Sequence, residues 1–147
     1  MAKLLRIDLG CGNNKKVGCQ GIDIKPLEGV DIVADATKEI PLADNSVEYL
    51  YSSHFLEHVE SIRFVASEIY RICCNGAIVE IKVPLDLPDP AHKVILSWDW
   101  EKLYFDPMLF WIVDQSVKHV HTHSCVGKPF EYDESYVKLQ VKKGTKK

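Results

Sequence analysis

Apolar and polar positions along this chain fall into short blocks. Leu4–Leu9, LLRIDL, is an apolar run ending at Gly10, the pattern of a buried strand closed by a tight turn. Three further short runs predict strands: Gly21–Ile24 (GIDI), Val30–Ala34 (VDIVA) and Ser46–Tyr51 (SVEYLY), the last introduced by the turn pair Asp44-Asn45. Ala77–Val83 (AIVEIKV) is a fifth, preceded by Asn75-Gly76 and stopped by Pro84. The clearest helix lies between the fourth and fifth strands. Ile62, Val65, Ala66, Ile69, Tyr70 and Cys73 recur at helical spacing, with Arg63, Ser67, Glu68 and Arg71 on the other side and Asn75-Gly76 as a stop. Beyond Pro84, LDLPDPAHK reads as a loop. A helix is expected over Pro107–Asp114, with Pro107 in its first turn, and strands over Ser116–Val126 and Tyr136–Val141.

Short strands that are apolar throughout, separated by loops and helices, predict a largely parallel sheet with helical cover. The two late strands leave no room for a helix between them and should pair as an antiparallel hairpin at one sheet edge. No repeat and no change of composition divides the chain, so residues 1–147 are expected to form one domain.

Charge narrows the function classes. The 147 residues carry 18 Lys+Arg against 21 Asp+Glu, so no broad basic field argues for nucleic-acid binding; only the tail, Lys138 and then Val141–Lys147, is basic. The N-terminal MAKLLRIDLG does not read as a signal peptide, and no apolar run approaches a membrane span. Five cysteines without a repeated C-x-x-C spacing predict reduced thiols and a cytoplasmic location.

In a parallel sheet ligands bind at the carboxyl ends of the strands. Those ends here collect Asp8-Leu9-Gly10-Cys11-Gly12-Asn13-Asn14, Asp23, Asp35-Ala36 and Ser52-Ser53-His54. Glycines allow close backbone approach to a ligand, an acid ending the second strand can accept both hydroxyls of a ribose, and Asp35-Ala36 can read an adenine amino group. Phosphate is a poorer match, because Lys15 stands where a dinucleotide fingerprint needs glycine and the segment up to Gln20 is too short for a full helix. A phosphate-free nucleoside with a cationic centre, such as an adenosyl sulfonium, suits acids at these ends.

In order, IDLGCGNN, GIDI, VADATKEIPLADNSVEYLYSSHFLEHV and EIYRICCNGAIVEIKVP resemble the motifs of class I S-adenosylmethionine-dependent methyltransferases, most nearly the small type 11 branch, over Leu4–Pro84. The resemblance implies an α/β Rossmann-like sheet in the order 3-2-1-4-5-7-6 with strand seven antiparallel. It also implies S-adenosyl-L-methionine as cofactor. Asp8, Gly10, Cys11 and Gly12 would form the first motif, at the methionine half. Asp23 would take the ribose, Ile24 would pack on the adenine, Asp35 and Ala36 would hold its edge, and Ser53 and His54 would line the methyl-donor site. Asp23 follows Asp8 by only fifteen positions, so the first helix is reduced to a turn, leaving Asn13, Asn14 or Lys15 to meet the methionine carboxylate.

The histidines invite other chemistry. SSHFLEHVE holds His54, Glu57 and His58 as H-x-x-E-H, the inverted zinc-protease pattern, yet a zinc hydrolase needs a third ligand, and neither Glu60 nor Glu68 stands out. No metal is expected, and His58 reads as a packing or capping residue. His119, His121, His123 and Cys125 alternate on one strand face about 7 Å apart, the spacing of a half-exposed edge strand rather than of one ion's ligands. His92, in DPAHK, resembles an element that relatives carry over the active site, so His92 and His54 are the two candidate bases. Trp98, Trp100, Tyr104, Phe105, Phe110 and Trp111 read as core or interface, with an acceptor pocket as the alternative. Ser52-Ser53-His54-Phe55 replaces the Pro-Pro-aromatic element that arranges a planar amino group, which points away from nucleobase methylation. The expected activity is methyl transfer to an oxygen or nitrogen of a small molecule or sugar, with a homo-oligomer or a partner protein compatible. The alternative is a non-catalytic S-adenosylmethionine-binding module that activates a partner subunit.

Overall fold

The computed structural model describes residues 2–123, 127 and 129–144. Among them seven strands form one sheet: β1 (Leu5–Leu9), β2 (Gln20–Asp23), β3 (Ile32–Val33), β4 (Val47–Ser53), β5 (Cys73–Leu85), β6 (Phe110–His123) and β7 (Pro129–Val141). Their order is β3-β2-β1-β4-β5-β7-β6. β1 to β5 run parallel, and β7 is antiparallel to both β5 and β6. The order and the reversed strand are those implied by the sequence resemblance.

Helix α1 (Ile62–Ile72) begins where Ser61 accepts a hydrogen bond from the Phe64 amide at 3.2 Å. It buries Ile62, Val65, Ala66, Ile69 and Ile72 against the sheet. Glu68, placed by periodicity on the polar side, is buried too. It accepts from the Ile40 amide at 2.9 Å and from Arg71, whose guanidinium holds the carboxyl below its usual value. Arg71 also donates to the carbonyls of Ile40 and Leu42 and to Asp44, fastening the helix-free segment ahead of β4. One ion-paired side chain thus replaces a packed element.

Two predicted boundaries move. The helix stops at Ile72 and β5 starts directly at Cys73, because Val47 of β4 pairs with Cys73; Asn75-Gly76 lies inside the strand as an irregularity, with Gly76 at φ +81°. The helix expected over Pro107–Asp114 is absent. Asp106 caps a single turn through the amides of Met108, Leu109 and Phe110, and the chain then enters β6, where Phe110 pairs with Val141 and Ile112 with Leu139. Aromatic and β-branched residues in a row favour a strand once an edge is offered to them. A short helix does form just upstream, α2 (Trp100–Tyr104). The expected strand ends at Cys125 and Val126 lie outside the described residues.

Half of the aromatic run is core, while Trp98 and Trp111 are exposed. Trp100, Phe105 and Phe110 are buried in edge-to-face contact, and the Trp100 indole donates to Ser135 at 3.1 Å. Trp98 lines a cavity of about 260 Å³ with Glu101, Gln115 and Ser135, away from the strand ends described below. Helical cover is thinner than predicted. The connections β1–β2, β2–β3 and β3–β4 contain turns only, which leaves Val17 (96% exposed) and Val33 (57%) in the open.

Candidate functional site

Strand β1 delivers Asp8, Leu9 and Gly10 to its carboxyl end, where the chain turns with Gly10 at φ +73° and Gly12 at φ +51°. Gly10 has a second reason to lack a side chain: an added Cβ would lie 2.5 Å from the Phe55 ring. The turn is tied internally. The amides of Gly10 and Cys11 donate to the Ile22 carbonyl, and the Gly12 amide donates to Asp23 Oδ2 at 2.9 Å. Those three donors are therefore not free to cradle a phosphate, which accords with the absent dinucleotide fingerprint.

Four aspartates hold the loops at this end. Asp8, buried in the sheet, accepts from the Lys16 amide at 2.7 Å; burial raises its pKa, against the lowering effect of that amide. Asp23 accepts from the Gly12 and Lys25 amides, which leaves lone pairs for a further donor. Asp31 accepts from the Gly21 amide at 2.7 Å and pairs with Lys15 at 2.8 Å; these contacts lower its pKa. Asp35 accepts from the hydroxyl and the amide of Thr37, which likewise hold its pKa down.

Two cavities open between these loops. The first, of about 480 Å³, is lined by Gly10, Gly12, Asp23, Ile24, Asp35 and Ala36 on one side and by His54, Phe55, His58 and Ala91 on the other. The second, of about 420 Å³, is lined by Asp8, Gly10, Cys11, Gly12, Asn13, Asn14, Tyr51, Ser53 and His54. They share Gly10, Gly12 and His54. Both lie in the size range of small-molecule sites. Ile24 is 60% exposed at the first, an apolar side chain left without protein cover. Each of the sequence-predicted cofactor residues except Lys15 lines one cavity or both.

Two of them contribute less than expected. The Cys11 thiol packs against Gly21, where a Cβ would lie 2.5 Å from its sulfur, and burial pushes its pKa up to about 11. Lys15 is held by Asp31. Lys16, which sequence reasoning passed over, places its ammonium 4.3 Å from the centroid of the Tyr51 ring, beside the second cavity. No local signal singled it out, because Asp8 aims it by holding its backbone amide.

The histidines converge more than the sequence suggested. His54, in a left-handed conformation (φ +54°), anchors its amide on the Lys82 carbonyl and sets Nε2 2.6 Å from Glu134 of β7. Its Nδ1 lies 3.6 Å from Glu57 Oε1. His58, in a single 3-10 turn (Leu56–His58), sets Nδ1 3.0 Å from the Ala91 carbonyl. His92 sets Nδ1 3.0 Å from the Leu87 carbonyl, and its ring packs edge-on against His58 at 4.9 Å. The loop carrying His92 is pinned by the Lys93 and Val94 amides, both donating to the Glu57 carbonyl. His58 is therefore a wall of the first cavity rather than a helix cap. On β6, His119 and His121 form exposed ion pairs with Asp133 and Glu131, as expected of an edge strand; Cys125 is outside the described residues.

A family model of the type 11 methyltransferase domain matches residues 13–81. No curated protein sequence matches the chain. Solved structures do. An S-adenosylmethionine-dependent methyltransferase from Methanosarcina mazei is 14% identical, with 98% of this chain and 95% of that one covered, at a TM-score of 0.73. One from Archaeoglobus fulgidus is 16% identical, with 95% and 87% covered, at 0.69. A phosphoethanolamine N-methyltransferase from Haemonchus contortus, solved with phosphomonomethylethanolamine and S-adenosylhomocysteine, is 13% identical, with 97% and 50% covered, at 0.66. At these identities the likeness is one of fold. Among the described residues no helix is long and apolar enough to cross a membrane.

Proposed function

We propose that the chain is a class I S-adenosylmethionine-dependent methyltransferase that methylates an oxygen or nitrogen of a small molecule or sugar, a reading supported by its fold and by the methyltransferase-domain match over residues 13–81. The observation that carries this reading is the pair of cavities sharing Gly10, Gly12 and His54, one flanked by Asp23 and Asp35, the other by Asp8 and Asn13. The exposed Ile24 and the lone pairs left on Asp23 suit an adenosyl group in the first cavity. When bound, S-adenosylmethionine supplies an electrophilic methyl group on a sulfonium.

In this reading Asp23 accepts the ribose hydroxyls, Ile24 covers the adenine, and Asp35 with the Ala36 amide reads its edge. Asp8, Gly10, Cys11 and Gly12 shape the turn under the methionine half. Asn13 and Asn14, which line the second cavity, and the Lys16 ammonium over Tyr51 would be the polar groups to meet its carboxylate. Ser53 and His54 separate the two halves. With its Nε2–H donated to Glu134, His54 keeps the Nδ1 lone pair as the atom for an acceptor proton. His92, across His58, is the second candidate base. Acceptor positioning supplies most of the rate in an in-line displacement.

The exposed Val17 and Val33, left without helical cover, favour a second reading, a cofactor-binding subunit that activates a partner. Calorimetry with S-adenosylhomocysteine, followed by methyl transfer from labelled cofactor into fractionated cell extract, separates the two. Micromolar binding, weakened at least roughly tenfold by Asp23→Ala, is expected, since hydrogen bonds to a charged group contribute ~1.5–3 kcal/mol. Label should enter the small-molecule fraction. Binding without transfer to any fraction would favour the second reading, and no binding by folded protein would remove both.

A further inference from the structure

Glu57 is 1% exposed, and neither of its carboxylate oxygens has a hydrogen-bond partner among the described residues. A buried carboxylate in that state is costly unless something positive completes it. Three imidazoles face it: His54, already held by Glu134, with Nδ1 3.6 Å from Oε1, and the rings of His58 and His92. His58 and His92 each place Nδ1 3.0 Å from a backbone carbonyl, of Ala91 and Leu87, so in the neutral ring Nδ1–H donates and Nε2 keeps its lone pair. His58 Nε2 is 3.7 Å from Glu57 Oε1, and one donor atom from each of the three residues lies within 4.8 Å of the others. Acceptor atoms thus converge on a point with no donor to separate them.

From this convergence we propose that Glu57, His58 and His92 bind a first-row divalent metal ion of the zinc type. Two imidazole nitrogens and one carboxylate form the donor set of sites that keep a coordination position open. Tetrahedral ligation at ~2.1 Å spaces donors roughly 3.4 Å apart, so the trio needs only a small inward movement. The backbone carbonyls that hold both Nδ1–H groups orient the rings as outer-shell partners of ligating histidines do. The H-x-x-E-H pattern contributes Glu57 and His58 but not His54, whose Nε2 is taken by Glu134; the missing third ligand is His92, 34 positions beyond His58 and invisible to local spacing. Because His58 and Ala91 also line the first cavity, the open position would face the ligand bound there, a role that rests on the methyltransferase reading. The surface trio His119, His121 and Glu131 differs, since its imidazoles already hold carboxylates at 2.8 Å.

The test is calorimetric titration of chelator-treated protein with Zn²⁺, and with Co²⁺ read by visible absorption, each with S-adenosylhomocysteine affinity measured on the same sample. We expect one micromolar or tighter site with the absorption of tetrahedral cobalt. His92→Ala, a loop substitution, should weaken it at least roughly tenfold, as should Glu57→Gln, while the double variant His119→Ala/His121→Ala leaves it within about twofold. No site in the wild type, or a site lost in the double variant and kept in His92→Ala, would overturn the proposal. S-adenosylhomocysteine binding without zinc binding would overturn this inference alone; zinc binding without S-adenosylhomocysteine binding would overturn the methyltransferase reading alone.

Discussion

The two halves of the sheet are built by different means. From β4 through β7 the strands are long, α1 and α2 pack on them, and Leu50, Ile69, Val79, Ile81, Trp100 and Leu139 form a continuous apolar core. From β1 through β3 the strands shorten to two residues, the connecting helices are absent, and the loops hang on carboxylates: Asp8 on Lys16, Asp23 on Gly12, Asp31 on Gly21, Asp35 on Thr37. The first half resists unfolding through buried area; in the second, Ile7, Leu9 and Ile22 join the same core, and the loops keep their shape through directed hydrogen bonds. The ligand-facing surface lies mostly in the second. A site can therefore be held in place where little hydrophobic burial is available, provided that each loop amide has an acid aimed at it.

Substitutions in each half should separate the two mechanisms. Ile81→Ala, fully buried in β5, should cost ~2–5 kcal/mol of global stability in denaturant unfolding while S-adenosylhomocysteine affinity at low temperature stays within about twofold. A comparable loss of affinity would mean that the halves are not separate. Asp8→Ala should cost less globally, about 1–3 kcal/mol for leaving the Lys16 amide unpaired, yet weaken cofactor binding, because Lys16 loses its aim. Unchanged affinity would remove Lys16 from the site.

Acid should produce the smallest and most local effect. Asp31 and Asp35 have pKa values held below the ordinary carboxylate value, so their contribution is complete above the unfolded value near 4 and is lost as pH falls through the lower folded one. Asp8 has the opposite sign: its raised pKa means that the folded state takes up that proton more readily, so its protonation does not favour unfolding. Amide protection by hydrogen exchange should therefore fall at Gly21 and Thr37 below roughly pH 4, while amides of β5 and β7 stay protected. Uniform loss across the sheet would contradict the division.

Much of this was legible before any coordinates. Five strand positions, the amphipathic helix, the edge hairpin and the acids ending β2 and β3 follow from runs, turns and spacings that act within a few residues of each other. The same local rules failed at Phe110–Asp114, where β7 supplied an edge that converted an expected helix into strand, and at Cys73–Gly76, where pairing with β4 drew helix-end residues into β5. Glu68 was misplaced for the same reason: Ile40, 28 positions away, determines that it is buried.

The candidate site divides along that line. Gly10, Gly12, Asp23, Asp35 and His54 could be named from sequence, since a parallel sheet sends every strand end to one edge and the residue types there state the chemistry. Glu134 beside His54, Lys16 over Tyr51 and His92 against His58 and Glu57 could not. Local backbone preference and side-chain period are written in adjacent residues. Which distant groups share a lone pair, a proton or a burial site is decided only when the sheet brings separate loops together, because those interactions act over a few ångströms and not along the chain.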